Sequence, residues 1–181
     1  MGLVVQDSKA AAPVSLAEVK SFLRIGNSDE DALLAGLVRT ATELCEAFTG
    51  LVLIEREMTE VIPASSAWTR LSPTPVRAIQ TVAKVGDGGA QTALAAGSFA
   101  MDIDSNGDGW IRVIEVTPCG RLSVALIAGL ASDWNGVPEA LRQGIVRLVG
   151  HLHAHRDAAA DVGPPFAVTA LWRPWRRMRL G

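Results

Sequence analysis

Apolar residues return every three or four positions in three stretches of this chain, and between the second and third they alternate in short runs broken by turn residues. Ser15 and Glu18 form a capping box, and Leu16, Val19, Phe22 and Leu23 follow on one face. This predicts a helix over 15–25, stopped by Gly26. Ser28 and Asp31 repeat the box, with Asp29, Glu30 and Asp31 where a helix dipole favours acid. Leu33, Leu37, Ala41, Leu44 and Phe48 then predict a helix over 28–49 ending at Gly50. Leu34, Val38 and Cys45 widen that stripe, so this helix should meet neighbours on two sides. The third stretch starts at Pro138 and Glu139, and Leu141, Ile145, Leu148, Leu152 and His155 predict a helix over 138–160. Gly163-Pro164-Pro165 breaks it, and Phe166, Val168, Leu171, Trp172 and Trp175 follow in a short segment interrupted by Pro174.

Residues 51–130 carry a different pattern. Turn signals stand at Pro63, Pro73–Pro75, Asp87–Gly89, Asn106–Gly109 and Pro118–Gly120. They separate β-prone runs at 51–62, 68–71, 76–85, 98–103, 110–116 and 121–128. In the last run Leu122, Val124 and Leu126 alternate with Arg121, Ser123 and Ala125, as in a half-buried strand. The run 51–62 suits a helix as well, because of Glu55, Glu57 and Glu60. The predicted fold class is therefore α+β, mainly helical. A helical body (14–50 and 136–162) surrounds a β-rich insertion (51–130), with an N-terminal extension (1–13) and a C-terminal arm (163–181).

Composition narrows the function. With 181 residues, 49% of them hydrophobic and 20% charged, the chain has ample material for a core. No apolar run approaches the roughly 20 residues of a membrane span, and the first residues do not read as a signal peptide. Two cysteines, Cys45 and Cys119, make no disulfide framework and suit a reduced setting. A net charge of −2 gives no general pull toward nucleic acid. The charge is uneven, however. Residues 165–181 carry Arg173, Arg176, Arg177 and Arg179 without an acid, so this tail is +4 and the remainder −6.

Candidate chemistry is sparse. Asp102-Ile103-Asp104-Ser105-Asn106-Gly107 matches the opening of a calcium-binding EF-hand loop, but Val113 stands where a bidentate Glu is required. Asn106-Gly107 between two β runs reads first as a hairpin turn. His151, His153 and His155 look like a metal cluster, yet on a helix only His151 and His155 share a face. A third ligand has no motif behind it; Asp157 and Asp161 are the nearest acids. No nucleophile elbow or phosphate loop is present. The expectation is no catalytic residue, no metal and no cofactor.

The run Leu171-Trp-Arg-Pro-Trp-Arg-Arg-Met-Arg-Leu180 stands out, with two tryptophans, four arginines and no acid. Trp and Arg dominate interface hot spots, so a protein interface is the first reading. A solvated tail with one tryptophan folded on the core is the second. Phosphate binding with aromatic stacking is the third, since four arginines alone give weak DNA affinity.

Three stretches together resemble the tailed-phage head–tail connector (adaptor) family, which also occurs in phage-derived gene transfer agents. They are Val14-Ser-Leu-Ala-Glu-Val-Lys-Ser-Phe-Leu-Arg-Ile25 with Asp29–Leu34 and Ala47–Gly50; Val137-Pro-Glu-Ala-Leu-Arg-Gln-Gly-Ile145 running into His151 and Arg156; and Pro165-Phe-Ala-Val-Thr-Ala-Leu171 with the trailing arginines. The resemblance covers about half the chain, and the β insertion matches it only in position and general character. It implies a structural, non-catalytic protein that forms a homo-oligomeric ring, typically of twelve subunits. Such a ring docks beneath the portal protein after DNA packaging and carries a stopper or other tail-side neck protein. Double-stranded DNA passes through its channel without sequence-specific binding, and no membrane is involved. The expected location is the neck of a virion or phage-like particle, after assembly in the bacterial cytoplasm. On this reading the arm is the portal interface, through Phe166, Leu171, Trp172, Arg173, Trp175, Arg176, Arg177 and Arg179. The rivals are a stopper or tail terminator, or a small metal-dependent enzyme built on the histidine helix.

Overall fold

A computed structural model describes residues 3–6, 14–114, 120–155 and 163–177. The chain divides into a β unit, with the first strand and Ile54–Leu130, and a helical unit drawn from Ala11–Leu53 and Ala131–Gly181.

Among the described residues the β unit holds eight strands: β1 (Leu3–Gln6), β2 (Arg56–Pro63), β3 (Thr69–Arg70), β4 (Val76–Val85), β5 (Gln91–Ala93), β6 (Phe99–Ile103), β7 (Gly109–Val113) and β8 (Arg121–Ala128). They form a five-stranded antiparallel sheet, β1-β2-β8-β4-β5, and a three-stranded one, β3-β7-β6. The alternation read in 121–128 is the central strand β8, with Leu122, Val124, Leu126 and Ala128 buried. Ser123 is buried as well, so its polar side of the alternation is covered too.

The ambiguous run 51–62 resolves into a strand from Arg56, because Met58, Glu60 and Ile62 turn inward at period two. Glu60 is almost fully buried, and Ser72 satisfies it: its N–H donates to Oε2 at 2.8 Å and its hydroxyl to Oε1 at 2.6 Å. A glutamate that reads as a helix surface position is thus a satisfied core acceptor. Gly129, beside β8, is required by packing, since a Cβ there would collide with the Ile54–Glu55 backbone. Two strands lay outside the sequence expectation. β1 falls in the N-terminal extension, and β5 is only three residues long.

The helical unit contains α1 (Leu16–Leu23), α2 (Asp31–Thr49), α3 (Glu139–Ala154) and α4 (Phe166–Trp172). Ser15 caps α1, its Oγ accepting from the Glu18 N–H at 3.2 Å. The stop is Arg24, in the left-handed region at φ 59°, rather than Gly26. The second capping box does not form: α2 begins at Asp31, whose carboxylate instead accepts from Lys20 Nζ at 2.8 Å.

The stripe of α2 is also rotated from the expected one. Leu34, Val38, Ala41, Cys45 and Thr49 are buried, while Leu33 is exposed. Burial, with a smaller push from the Glu46 charge, raises the Cys45 thiol far above its ordinary pKa, which suits a packing role. α3 is the centre of the unit, touching α1, α2 and α4, and it buries Leu141, Ile145, Val146, Leu148 and Val149. Its end at Ala154 leaves 156–160 of the expected helix outside the described residues. None of the helices among the described residues is long and apolar enough to cross a membrane.

Candidate functional site

The C-terminal segment is a short helix and a 3₁₀ turn (Arg173–Trp175) clamped onto the helical unit. Pro165 sets the entry to α4, and its carbonyl accepts from the N–H groups of Val168 and Thr169 at 2.9 and 3.0 Å. At period 3.6 the seven-residue helix buries Val168 and Trp172, half-buries Thr169 and Leu171, and turns Phe166, Ala167 and Ala170 outward.

Trp172 is the anchor, fully buried in a notch of α3. The notch exists because residue 144 is glycine: a Cβ there would overlap the indole Nε1. That Nε1–H points to the Leu141 carbonyl at 3.4 Å, and the Phe48 ring of α2 lies 5.8 Å away at a tilt of 52°. Farther on, the Arg177 N–H donates to the Thr49 carbonyl at 2.8 Å, which satisfies part of the C-terminal end of α2. Gly50 follows at φ 73° and packs beside Arg177. The Arg176 guanidinium lies 5.5 Å over the Phe48 ring, and Arg173 lies 5.7 Å over the Phe166 ring.

The eight residues expected at an interface therefore separate. Phe166, 75% exposed, Arg173 and Arg176 point outward; Leu171, Trp175 and Arg177 are half-buried. Trp172 is fully buried within the helical unit, and the cause is plain. Pro174 limits the helix, but one turn is enough to swing the indole into the Gly144 notch. Arg179 lies outside the described residues. The segment is thus mounted on the body along 163–177, not carried as a free tail. The missed signal was Gly144 itself, a glycine in the middle of an apolar helix stripe, where it costs about 1 kcal/mol unless something needs the space.

The other constellations take structural places. Asp104 Oδ1 accepts from the N–H groups of Asn106 and Asp108, each at 2.9 Å, and Oδ2 accepts from Trp110 Nε1 at 3.2 Å. Asp108 Oδ1 meets Arg70 at 2.8 Å and the Thr74 hydroxyl at 2.9 Å. The EF-like sequence is the β6–β7 hairpin turn, with Gly107 at φ 77° against Pro75. At the end of α3, His151 stacks with His155, the residue just past the helix, with ring centroids 4.3 Å apart, while His153 diverges to Glu30 at 3.0 Å. Among the described residues no group of three or more His, Cys, Asp or Glu side chains could hold a metal ion. Sequence reading also missed a cluster tying α1 to the chain before α3. Glu18 accepts from Trp134 Nε1 at 3.0 Å and from Arg142 at 3.3 Å, and Arg142 covers the Trp134 ring.

Helices flanking a β excursion, with a short C-terminal helix folded back on the body, can be compared with known proteins. Residues 13–83 match the model of the family described as "Phage gp6-like head-tail connector protein". That match spans less than half of the chain. Solved structures that match almost end to end include the following. A chain from "Neck of empty GTA particle computed with C6 symmetry" superposes with a TM-score of 0.80 at 24% identity, covering 98% of this chain and 97% of that one. One from "Virion of native gene transfer agent (GTA) particle" gives 0.76 at 25% identity with the same coverage, 98% and 97%. One from "Neck of native GTA particle computed with C12 symmetry" gives 0.77 at 24%, again covering 98% and 97%. No curated protein sequence matches.

Proposed function

We propose that the chain is a neck protein of a phage-like particle, assembling as a ring of twelve copies beneath the portal and joining the DNA-filled head to the tail. The observation that carries this is the match over 98% of the chain to a neck with twelvefold symmetry, alongside the connector-family match. A ring subunit is a scaffold of contacts, and the molecule suits that role. Its polar clusters are consumed by internal turns and ties, which leaves recognition to outward surfaces. The C-terminal segment is the portal-facing element in this reading, and DNA passes through the ring with no base-specific contact. An acidic balance of −6 outside residues 165–181 limits attraction to that DNA.

The test is reconstitution. Purified protein is added to DNA-filled, portal-bearing particles that lack it, and retained copies are counted against portal subunits. Near one copy per portal subunit, and recovery of tail attachment, is the expected result. Retention without the portal, or only on completed tails, would assign the chain to a stopper or tail terminator instead.

A further inference from the structure

We infer that copies of this chain join around the ring through two unlike surfaces: the open side of α2 on one copy and the outer face of the β3-β7-β6 sheet on the next. This contact rests on the ring reading above. Necks holding chains of similar fold were computed with sixfold and twelvefold symmetry. Identical chains related by rotation touch head to tail, so each must carry two different, complementary surfaces. The first is on α2. Leu34, Val38, Ala41, Cys45 and Thr49 are buried along one side of it. On the opposite side Ala32, Leu33, Arg39, Thr40, Glu43 and Ala47 are exposed, with Leu37 and Leu44 half-buried at the margin. Leu33 leaves 42% of its surface to water. Two charges on so long an exposed side are few for a helix face that stays in solvent.

The second surface belongs to the β unit. β7 buries Ile111 and Val113, and period two sends Trp110 and Arg112 to the other face. Register puts Asp102 of β6 and Arg70 of β3 on either side of Trp110. Trp68, just before β3, is 44% exposed with the Arg112 guanidinium 4.8 Å from its ring centroid, and Ile114, just past β7, is 57% exposed. Exposed tryptophan beside a supported arginine is the chemistry of an interface centre. Arg70 is already paired with Asp108, so the face offers one base, Arg112, and one acid, Asp102. That balance gives phosphate nothing to bind, and suits a surface with the same balance.

The open side of α2 has it. Arg39 and Glu43 stand one helical turn apart, about 6 Å between Cβ atoms. Asp102 and Arg112 are diagonal neighbours on adjacent strands, about 7–8 Å apart. None of the four makes an ion pair among the described residues. Laid together, Glu43 meets Arg112 of the next copy and Arg39 meets its Asp102, with Leu33, Leu37 and Leu44 against the apolar part of the sheet face. The charges set orientation, and the apolar area supplies affinity.

The experiment complements portal-bearing particles that lack this protein with full-length chains, and counts retained copies per particle. Glu43→Arg and Arg112→Glu each bring like charges together, so retention should fall about tenfold while circular dichroism matches the native chain. Both changes in one chain restore an opposite pair between neighbours and should return retention to within about threefold of native. In a second arm, a chain carrying Arg39→Cys and Asp102→Cys should give a ladder of linked multimers on oxidation, and either change alone should give none. Native-like retention of both single charge variants, or no recovery in the combined chain, overturns the contact. A ladder or dimer from one introduced cysteine alone also overturns it, because that marks a like-on-like contact. Should Arg112→Glu not fold, the cysteine chain decides: the ladder supports the contact and its absence overturns it. If the native chain is not retained in the neck, the ring reading fails; if it is retained as a ring while the charge swap and the cysteine pair give nothing, only this contact fails.

Discussion

At the scale of single residues, two glycines do work that no side chain could. Gly144 makes room for an indole, so Gly144→Ala overpacks the α3–α4 contact and should cost about 1–3 kcal/mol in chemical denaturation. Trp172→Ala empties the same space and should cost about 3–5 kcal/mol. A native-like denaturation midpoint for Trp172→Ala would mean that the segment is not part of the core. Gly129 serves the β unit in the same way, against the Glu55 backbone. These roles illustrate what was not legible in the sequence: both glycines were visible, but the groups that need their space come from 28 residues downstream and 74 upstream. Glu60 was misleading for the same reason. Its acceptor is satisfied by Ser72, a pairing across a loop that periodicity does not report.

At the scale of elements, pattern reading succeeded where one face of an element is buried and the other wet. β4 appears with the expected boundaries, as does β8 although both its faces are covered, and α1, α2 and α3 lie within the expected helices. It failed where tertiary contacts choose among options. The broad apolar stripe of α2 left its orientation open, and packing buried the Leu34 side instead of the Leu33 side. α4 is too short to declare itself by periodicity and is held by its anchor. Ile145, fully buried in mid-α3, gives a direct check: Ile145→Asp should lower stability by more than about 3 kcal/mol in a thermal or urea melt. In the β6–β7 turn, Asp104→Ala removes an acceptor for two backbone N–H groups and should cost about 1–3 kcal/mol. Added calcium should leave the melting temperature of the native chain unchanged. A calcium-dependent rise would show that the turn is an ion site after all.

At the scale of the molecule, the sequence order of helices, β excursion and aromatic-arginine end already carried the resemblance to the connector family. The fold is similar over 98% of the chain to that of a chain from the neck of a GTA particle. What the structure adds is that the C-terminal segment is mounted on the helical unit along residues 163–177. The most direct measurement is a cryo-EM reconstruction of particles complemented with this chain. The account predicts twelve copies in one continuous ring between portal and tail, with the C-terminal segment of each copy toward the portal. A ring whose C-terminal segments face the tail, or copies located anywhere but the neck, would contradict it.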